Sequence, residues 1–362
     1  MKICASSRLS AVGCRLSTVG HPRASLPVIG GLRDSQSRRI EYLRISLTDR
    51  CNYRCTYCMP EHGVPLSPKS EVLDFEEIER LVRLLLPLGV RRIRLTGGEP
   101  TVRKDLVKLV ARLSQLGLDD LAMTSNGERL EELAEPLFSS GLNRLNISLD
   151  SLDPRRFLAI TRRGDLSAVV RGIDRARAVG FRHTKLNSVV LGGVNDLEIA
   201  ALCRFAFERD LTPRFIEFMP MSGGALFSSG EFFSAAQIRA RIEADFGPLQ
   251  PGANQPLPGV GPARYHQIST GRFAGKRVGI ISAVTEPFCE TCNRMRLSAI
   301  GRLHTCLAID DDIDLRTPLR DGESDAEITA RIRAAVLAKQ NGHNFSKCGS
   351  GGPRKHMVAI GG

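Results

Sequence analysis

The chain has 362 residues, with 51 Lys or Arg against 39 Asp or Glu, and its formal charge of +12 directs attention to anionic partners. No run of about 18 apolar residues occurs, which argues against a membrane-spanning helix. The absence of Trp and a 5% aromatic content leave few platforms for stacking nucleic-acid bases, so no nucleic-acid partner is expected.

Residues 1–38 are rich in Lys, Arg, Ser and Gly with a single acid, Asp34. That is the composition of an organellar transit peptide and equally of an unstructured bacterial extension. The segment is expected to be disordered and outside the catalytic unit. A cytoplasmic bacterial protein is the expectation, with a mitochondrial location if the N-terminus is a transit peptide. From Arg39 onward short apolar runs alternate with amphipathic stretches. Strands are expected at Tyr42–Leu47, Arg91–Thr96, Leu118–Thr124, Asn143–Leu149, His183–Leu191 and Arg214–Met219. Helices are expected between them at Phe75–Leu86, Asp105–Leu116, Leu130–Phe138, Leu166–Val179 and Leu197–Arg209. Six such units predict an α/β fold with a parallel sheet and right-handed crossovers. Six is short of eight, so the expectation is a partial (βα)6 TIM-like barrel over residues 39–247. Residues 248–262, rich in Pro and Gly, read as a linker. A smaller α+β region over 263–362 follows, with strands at Tyr265–Ser269, Arg277–Ile281 and Arg294–Ser298 and a helix at Asp325–Ala338.

Polar residues gather where such a barrel places its chemistry, at the C-terminal ends of the strands. Gly97-Gly98-Glu99-Pro100 follows the second strand and Thr124-Ser125-Asn126-Gly127 ends the third. Ser148-Leu149-Asp150 ends the fourth, Lys185 and Asn187 lie in the fifth, and Met219-Pro220 closes the sixth.

Six of the ten cysteines fall into two triplets, a pattern of metal ligation in a reducing compartment rather than of disulfides. Cys51, Cys55 and Cys58 have the spacing C-x3-C-x2-C directly after the first strand. Three thiolates are one too few for a closed zinc site but suit a [4Fe–4S] cluster with one iron left open. A zinc knuckle completed by a distant residue such as His62 is the alternative. Cys289, Cys292 and Cys306 form the second triplet, for which His304 is a candidate fourth zinc ligand. Between them Arg294 and Arg296, flanking Met295, share a strand face, which suits capture of phosphate or carboxylate.

C-x3-C-x2-C with Tyr57 before the last cysteine, together with Gly97-Gly98-Glu99, resembles the radical S-adenosylmethionine (SAM) superfamily. The second triplet, the run Ile93–Pro100 and the terminal Gly361-Gly362 narrow the resemblance, over about Arg39 to Gly362, to the GTP 3′,8-cyclase family of molybdenum cofactor biosynthesis. The resemblance implies two [4Fe–4S] clusters and SAM, and a lyase that converts GTP to (8S)-3′,8-cyclo-7,8-dihydroguanosine 5′-triphosphate. In that family a 5′-deoxyadenosyl radical takes hydrogen from C3′ and the resulting carbon radical adds to C8. The residues implied for SAM are Tyr57, Gly97, Gly98, Glu99, Ser148 and Met219. Those implied for GTP are Arg44, Arg94, Thr124, Lys185 and Arg294–Arg296, with Arg294 and Arg296 also in a catalytic role. Further implications are a reductant of flavodoxin or ferredoxin type, a cyclic pyranopterin monophosphate synthase that takes the product, and a homodimer. The tail is expected to reach back into the site, its carboxylate meeting an arginine such as Arg94. Two other readings are a radical SAM peptide maturase with an auxiliary cluster and a zinc-bearing nucleic-acid-binding protein.

Overall fold

The computed structural model describes residues 30–252 and 261–361. Its elements run in chain order β1 (Tyr42–Ser46), α1 (Phe75–Leu85), β2 (Arg92–Thr96), α2 (Leu106–Ser114), β3 (Asp120–Ser125), α3 (Leu130–Ser139), β4 (Arg144–Ser148), α4 (Pro154–Thr161) and α5 (Leu166–Val179). They continue with β5 (Lys185–Val190), α6 (Ile199–Glu208), β6 (Thr212–Glu217), α7 (Ala235–Phe246), β7 (Leu249–Pro251), β8 (Arg264–Ile268) and β9 (Arg277–Ile281). The chain closes with β10 (Arg294–Leu297), β11 (Arg302–His304), β12 (Ile313–Asp314), α8 (Arg316–Arg320), α9 (Asp325–Leu337) and α10 (Met357–Ile360).

The first six strands pair in parallel and in sequence order, as their alternation with helices requires. The parallel set then continues past six. β10 pairs with β1 and β9 with β6, both in parallel, so eight parallel strands lie side by side in the order β10-β1-β2-β3-β4-β5-β6-β9. Antiparallel β11 and β12 extend one edge and β8 and β7 the other. The C-terminal α+β region therefore forms no sheet of its own. It covers both open edges of the six-stranded unit, satisfying ladders that would otherwise be exposed. Of the stretch 248–262, Leu249–Pro251 is β7, and residues 253–260 lie outside the described part.

Alternation along the strands separates core from site. On β1 and β2, Leu43, Ile45, Ile93 and Leu95 are fully buried in the hydrophobic core, while Tyr42, Arg44, Arg94 and Thr96 face the cavity on the other side. Helix starts are set by short polar side chains. Asp74 with Glu77, Ser234 with Gln237, and Ser324 with Glu327 form reciprocal capping boxes at α1, α7 and α9.

The N-terminal segment expected to be disordered over 1–38 is packed from Leu32 onward. Leu32 is buried in the core, its N–H donates to the Leu88 carbonyl, and Ile40 N–H donates back to Leu32. One apolar residue and a short antiparallel bridge, Arg33 to Arg39, suffice where composition suggested no packed face. Residues 1–29 lie outside the described part.

Candidate active site

The cysteine loop after β1 is held by a helix that sequence reading missed. Asp153 caps α4 by accepting from Arg156 N–H at 2.8 Å, and Pro154 occupies the first helical position. The last turn of a helix leaves carbonyls without intrahelical donors. Those of Ile160 and Thr161 accept the N–H groups of Thr56 and Arg54 at 2.9 and 3.0 Å. Arg162, just past the helix, donates to the carbonyls of Arg54 and Met59. The loop thus borrows rigidity from α4, and Cys51, Cys55 and Cys58 all reach one cavity of about 310 Å³.

Burial pushes these thiols up, Cys51 to about 11 and Cys58 to about 12. Cys55 is raised by burial, then by Asp150, Cys58 and Cys51, so the three sulfurs feel one another's charge. Among the described residues no three His, Cys, Asp or Glu side chains are spaced to hold a single metal ion. Three thiols on one cavity wall fit an iron–sulfur cluster that leaves one iron open. His62 is exposed, and nothing brings it to the triplet.

The turn Gly97-Gly98-Glu99 packs onto this loop. Gly98 N–H donates to the Thr48 carbonyl at 2.6 Å and Glu99 N–H to that of Arg50 at 2.8 Å. A Cβ on Gly98 would lie 2.2 Å from the Arg50 carbonyl oxygen, so only glycine permits the approach. The Glu99 carboxylate is buried and engaged by the protein's own donors. It accepts from Thr101 N–H and O–H, Ser125 O–H and Asn126 N–H. Asn126 in turn donates to Asn52, beside Cys51. Tyr57 also faces the cavity, its hydroxyl donating to Asp150 at 2.7 Å, and Ser148, Thr124 and Met219 line the same space.

The floor is cationic. In the parallel register Arg44 stands opposite Arg296 of β10 on one side and Arg94 of β2 on the other. Three guanidinium-bearing residues thus lie abreast at the strand spacing of about 4.8 Å. Like charges gathered this closely in a partly dry site repel one another. Burial and its neighbours, Arg296 foremost, hold Arg44 well below the usual guanidinium range. Burial brings Arg296 and Arg214 down to about 10. The Nε atoms of Arg94 and Arg294 are buried with no hydrogen-bond partner. Such a band suits a polyanion that would satisfy these donors. Lys185 does not line the cavity; it lies buried behind it, 5.9 Å from the centre of the Tyr265 ring. Burial and then Arg214 bring its ammonium down to about 6.

Arg214 is the site residue that sequence reading passed over. It opposes Asn187 in the β5–β6 register and donates to that side chain at 2.9 Å. Its signal was available, since an arginine at inward parity within the apolar strand of Phe215 and Ile216 has no packing reason to be there.

Cys289, Cys292 and Cys306 open into the same cavity, alongside Arg294, Met295 and Arg296. Burial raises Cys306. Burial also opposes ionisation of Cys292, but Lys339, Arg294 and Arg38 outweigh it and leave this thiol below the usual range. His304 is not a fourth ligand on this wall. Its Nδ1 faces the Asp311 carbonyl at 3.2 Å, and burial holds the ring down to about 4. Three thiols with adjoining cations fit a second cluster with an open position. Of the other described cysteines, Cys203 is a core residue and Cys348 is exposed.

The chain's end returns to this cavity. Met357 and Val358 of α10 line it. The Gly361 carbonyl accepts from Arg296 Nη1, and the expected contact of the terminal carboxylate with an arginine such as Arg94 falls on the next residue. Gly361 sits at φ +78 against Thr96 and Ser46 at the ends of β2 and β1. Gly362 and its carboxylate lie outside the described residues. No helix among the described residues is long and apolar enough to cross a membrane.

Comparison with known proteins adds to this geometry. Residues 45–206 match the radical SAM superfamily and residues 211–345 match the family described as Molybdenum Cofactor Synthesis C. The chain is 46% identical over 330 residues to the GTP 3′,8-cyclase of Heliobacterium modesticaldum, covering 91% of this chain and 99% of that one. It is 44% identical over 332 residues to the GTP 3′,8-cyclase of Pelotomaculum thermopropionicum, covering 91% and 100%. The Pseudomonas entomophila GTP 3′,8-cyclase is 46% identical over 317 residues, covering 87% and 93%. Among solved structures, Streptococcus suis SuiB bound to precursor peptide SuiA superposes with a TM-score of 0.58 at 16% identity, covering 83% of this chain and 68% of that one. That likeness concerns the fold alone. With two cysteine triplets and a basic band on one cavity, and with this identity over nearly the whole chain, the protein belongs to the GTP 3′,8-cyclase family of the radical SAM superfamily.

Proposed function

We infer that this chain converts GTP to (8S)-3′,8-cyclo-7,8-dihydroguanosine 5′-triphosphate in the first step of molybdenum cofactor biosynthesis. The observation that carries this reading is the opening of both cysteine triplets and the arginine band into one cavity. Cys51, Cys55 and Cys58 would hold one [4Fe–4S] cluster, and Cys289, Cys292 and Cys306 the other. When bound, these clusters supply a low-potential electron for cleavage of SAM and an open iron for the guanine edge.

The protein's own part is positioning, charge balance and exclusion of water. The Gly97-Gly98 turn offers backbone to the amino acid end of SAM, with Tyr57, Ser148 and Met219 around it. Glu99 acts through the turn rather than on the ligand, because its carboxylate is already engaged by four donors. Arg44, Arg94, Arg294 and Arg296 receive the triphosphate, whose charge of roughly −4 offsets their mutual repulsion and supplies acceptors for their fork-like donors. Arg214 joins them, Thr124 lies at the cavity wall, and Lys185, its ammonium brought down to about 6 by burial and then Arg214, stands buried beside the band. Met219, Met221, Phe288 and Phe345 form apolar wall that keeps water from a carbon radical. A reductant of flavodoxin or ferredoxin type, a cyclic pyranopterin monophosphate synthase downstream and a cytoplasmic location belong to the same reading.

Anaerobic turnover with GTP deuterated at C3′ tests it. 5′-Deoxyadenosine should be heavier by about one mass unit, from one transferred deuterium. Unlabelled 5′-deoxyadenosine alongside consumed GTP would contradict hydrogen removal from that carbon.

A further inference from the structure

The second cysteine triplet is assembled from sequence-distant pieces, and an arginine outside both triplets ties them together. Asp34 and Arg38 form a closed turn at the N-terminal edge of the barrel. The Asp34 carboxylate accepts Gln36 N–H at 2.9 Å, Arg38 N–H at 3.0 Å and Arg38 Nε at 2.6 Å. Both side chains are buried, at 0% and 8% exposure, so the guanidinium is fixed in direction. Three of its remaining donors go to carbonyls around the triplet. Nη1 donates to the Cys289 carbonyl at 2.8 Å and to that of Asn341 at 3.1 Å, and Nη2 donates to Gln340 at 2.7 Å.

The Cys289 carbonyl is the one that closes the Cys289–Cys292 turn, accepting Cys292 N–H at 3.0 Å. The neighbouring Lys339 ammonium donates to the Thr305 carbonyl, directly before Cys306. Segment 339–341 therefore bridges the two halves of the triplet, with Arg38 fastening it to Cys289 and Lys339 fastening it to Cys306.

We propose that Arg38, oriented by Asp34, is a positioning residue that brings the Cys289–Cys292 turn into register with Cys306, so that the three sulfurs can share one cluster. It acts through the backbone and touches neither substrate nor sulfur. The proposal rests on the reading of this triplet as a cluster site. A buried guanidinium with four hydrogen bonds, three of them to main-chain carbonyls from two segments, sets a geometry that no single-charge substitute reproduces.

The test isolates the second site. In a Cys51→Ala, Cys55→Ala, Cys58→Ala background, iron and sulfide are measured after anaerobic reconstitution, and iron release to a ferrous chelator is timed. The background protein should hold about four irons, one [4Fe–4S] cluster. If it holds none, the reading of the triplet fails, and the proposal with it. If it holds iron, adding Arg38→Ala should remove at least half of it, and Arg38→Lys should retain iron but release it about tenfold faster. In the chain with all cysteines, Arg38→Ala should keep the first site's iron and SAM cleavage without GTP, which a general loss of folding would not do. Unchanged iron content and release rates for both Arg38 variants would overturn the proposal. So would equal loss of iron from the two sites of the full chain when the unfolding curve is unchanged.

Discussion

Glu99→Gln exchanges one carboxylate oxygen for an amide NH2 and leaves shape almost unchanged. In the native site every partner is a donor. Oε1 receives Thr101 N–H at 3.0 Å, Thr101 O–H at 2.6 Å and Ser125 O–H at 2.9 Å, and Oε2 receives Asn126 N–H at 2.7 Å. The glutamine keeps most bonds by placing its oxygen on the Oε1 side, which sets its NH2 against the Asn126 N–H. One bond to a charged acceptor, worth about 1.5–3 kcal/mol, is then lost, and a buried N–H is left unsatisfied at a further cost of about 1–3 kcal/mol. Relief of the charge's burial offsets part of this, since burial holds the Glu99 carboxyl above its usual range. The expected net destabilisation is about 2 kcal/mol, a fall in melting temperature of roughly 2–6 °C for the cluster-free protein. Because Asn126 also holds Asn52 beside Cys51, the glycine turn and cysteine loop loosen together. The KM for SAM, followed by anaerobic 5′-deoxyadenosine release, should rise by about tenfold, or 1.4 kcal/mol. An unchanged melting temperature together with an unchanged KM would refute the assignment of Glu99 as the clasp of this turn.

Cys55→Ala should abolish 5′-deoxyadenosine formation even without GTP, and cleavage at the wild-type rate would remove the first triplet from its role. Cys292→Ala should keep some uncoupled SAM cleavage while GTP cyclisation stops; retained cyclisation would contradict the substrate role of the second triplet. Asp150 is pushed up to about 6 by burial, against bonds from Tyr57 and Val189, whereas an unfolded Asp ionises near 3.9. The folded chain therefore keeps a proton that the unfolded chain has released, and this favourable contribution, about 3 kcal/mol, is lost as pH rises from about 4 through about 6. In denaturant unfolding of the cluster-free protein, Asp150→Asn should gain on wild type over that interval, and parallel pH curves would exclude the effect.

Much of this architecture is visible in sequence, because strands that bury one face and helices with capping residues carry periodic signals. Leu166–Val179 and Arg277–Ile281 occur as expected to the residue. What periodicity does not encode is strand order. β9 and β10 read as strands of the smaller C-terminal α+β region, and pairing across long sequence distance sets them against β6 and β1. The arginine band has the same origin, since Arg44, Arg94 and Arg296 become neighbours only through that register. Helix α4 was missed despite Asp153 and Pro154, because it has only eight residues and its apolar face is narrow. The Asp34–Arg38 turn was hidden in a basic, acid-poor stretch whose composition outweighed a single buried ion pair.

The most direct test of the account is anaerobic incubation of the protein, carrying both clusters, with SAM, a strong reductant and GTP. Mass spectrometry would follow 5′-deoxyadenosine and a product isomeric with GTP. Both should appear together, in about equal amounts, and Arg294→Ala or Arg296→Ala should remove the isomer while some 5′-deoxyadenosine persists. Sustained 5′-deoxyadenosine release by the wild-type protein with GTP left intact would contradict it.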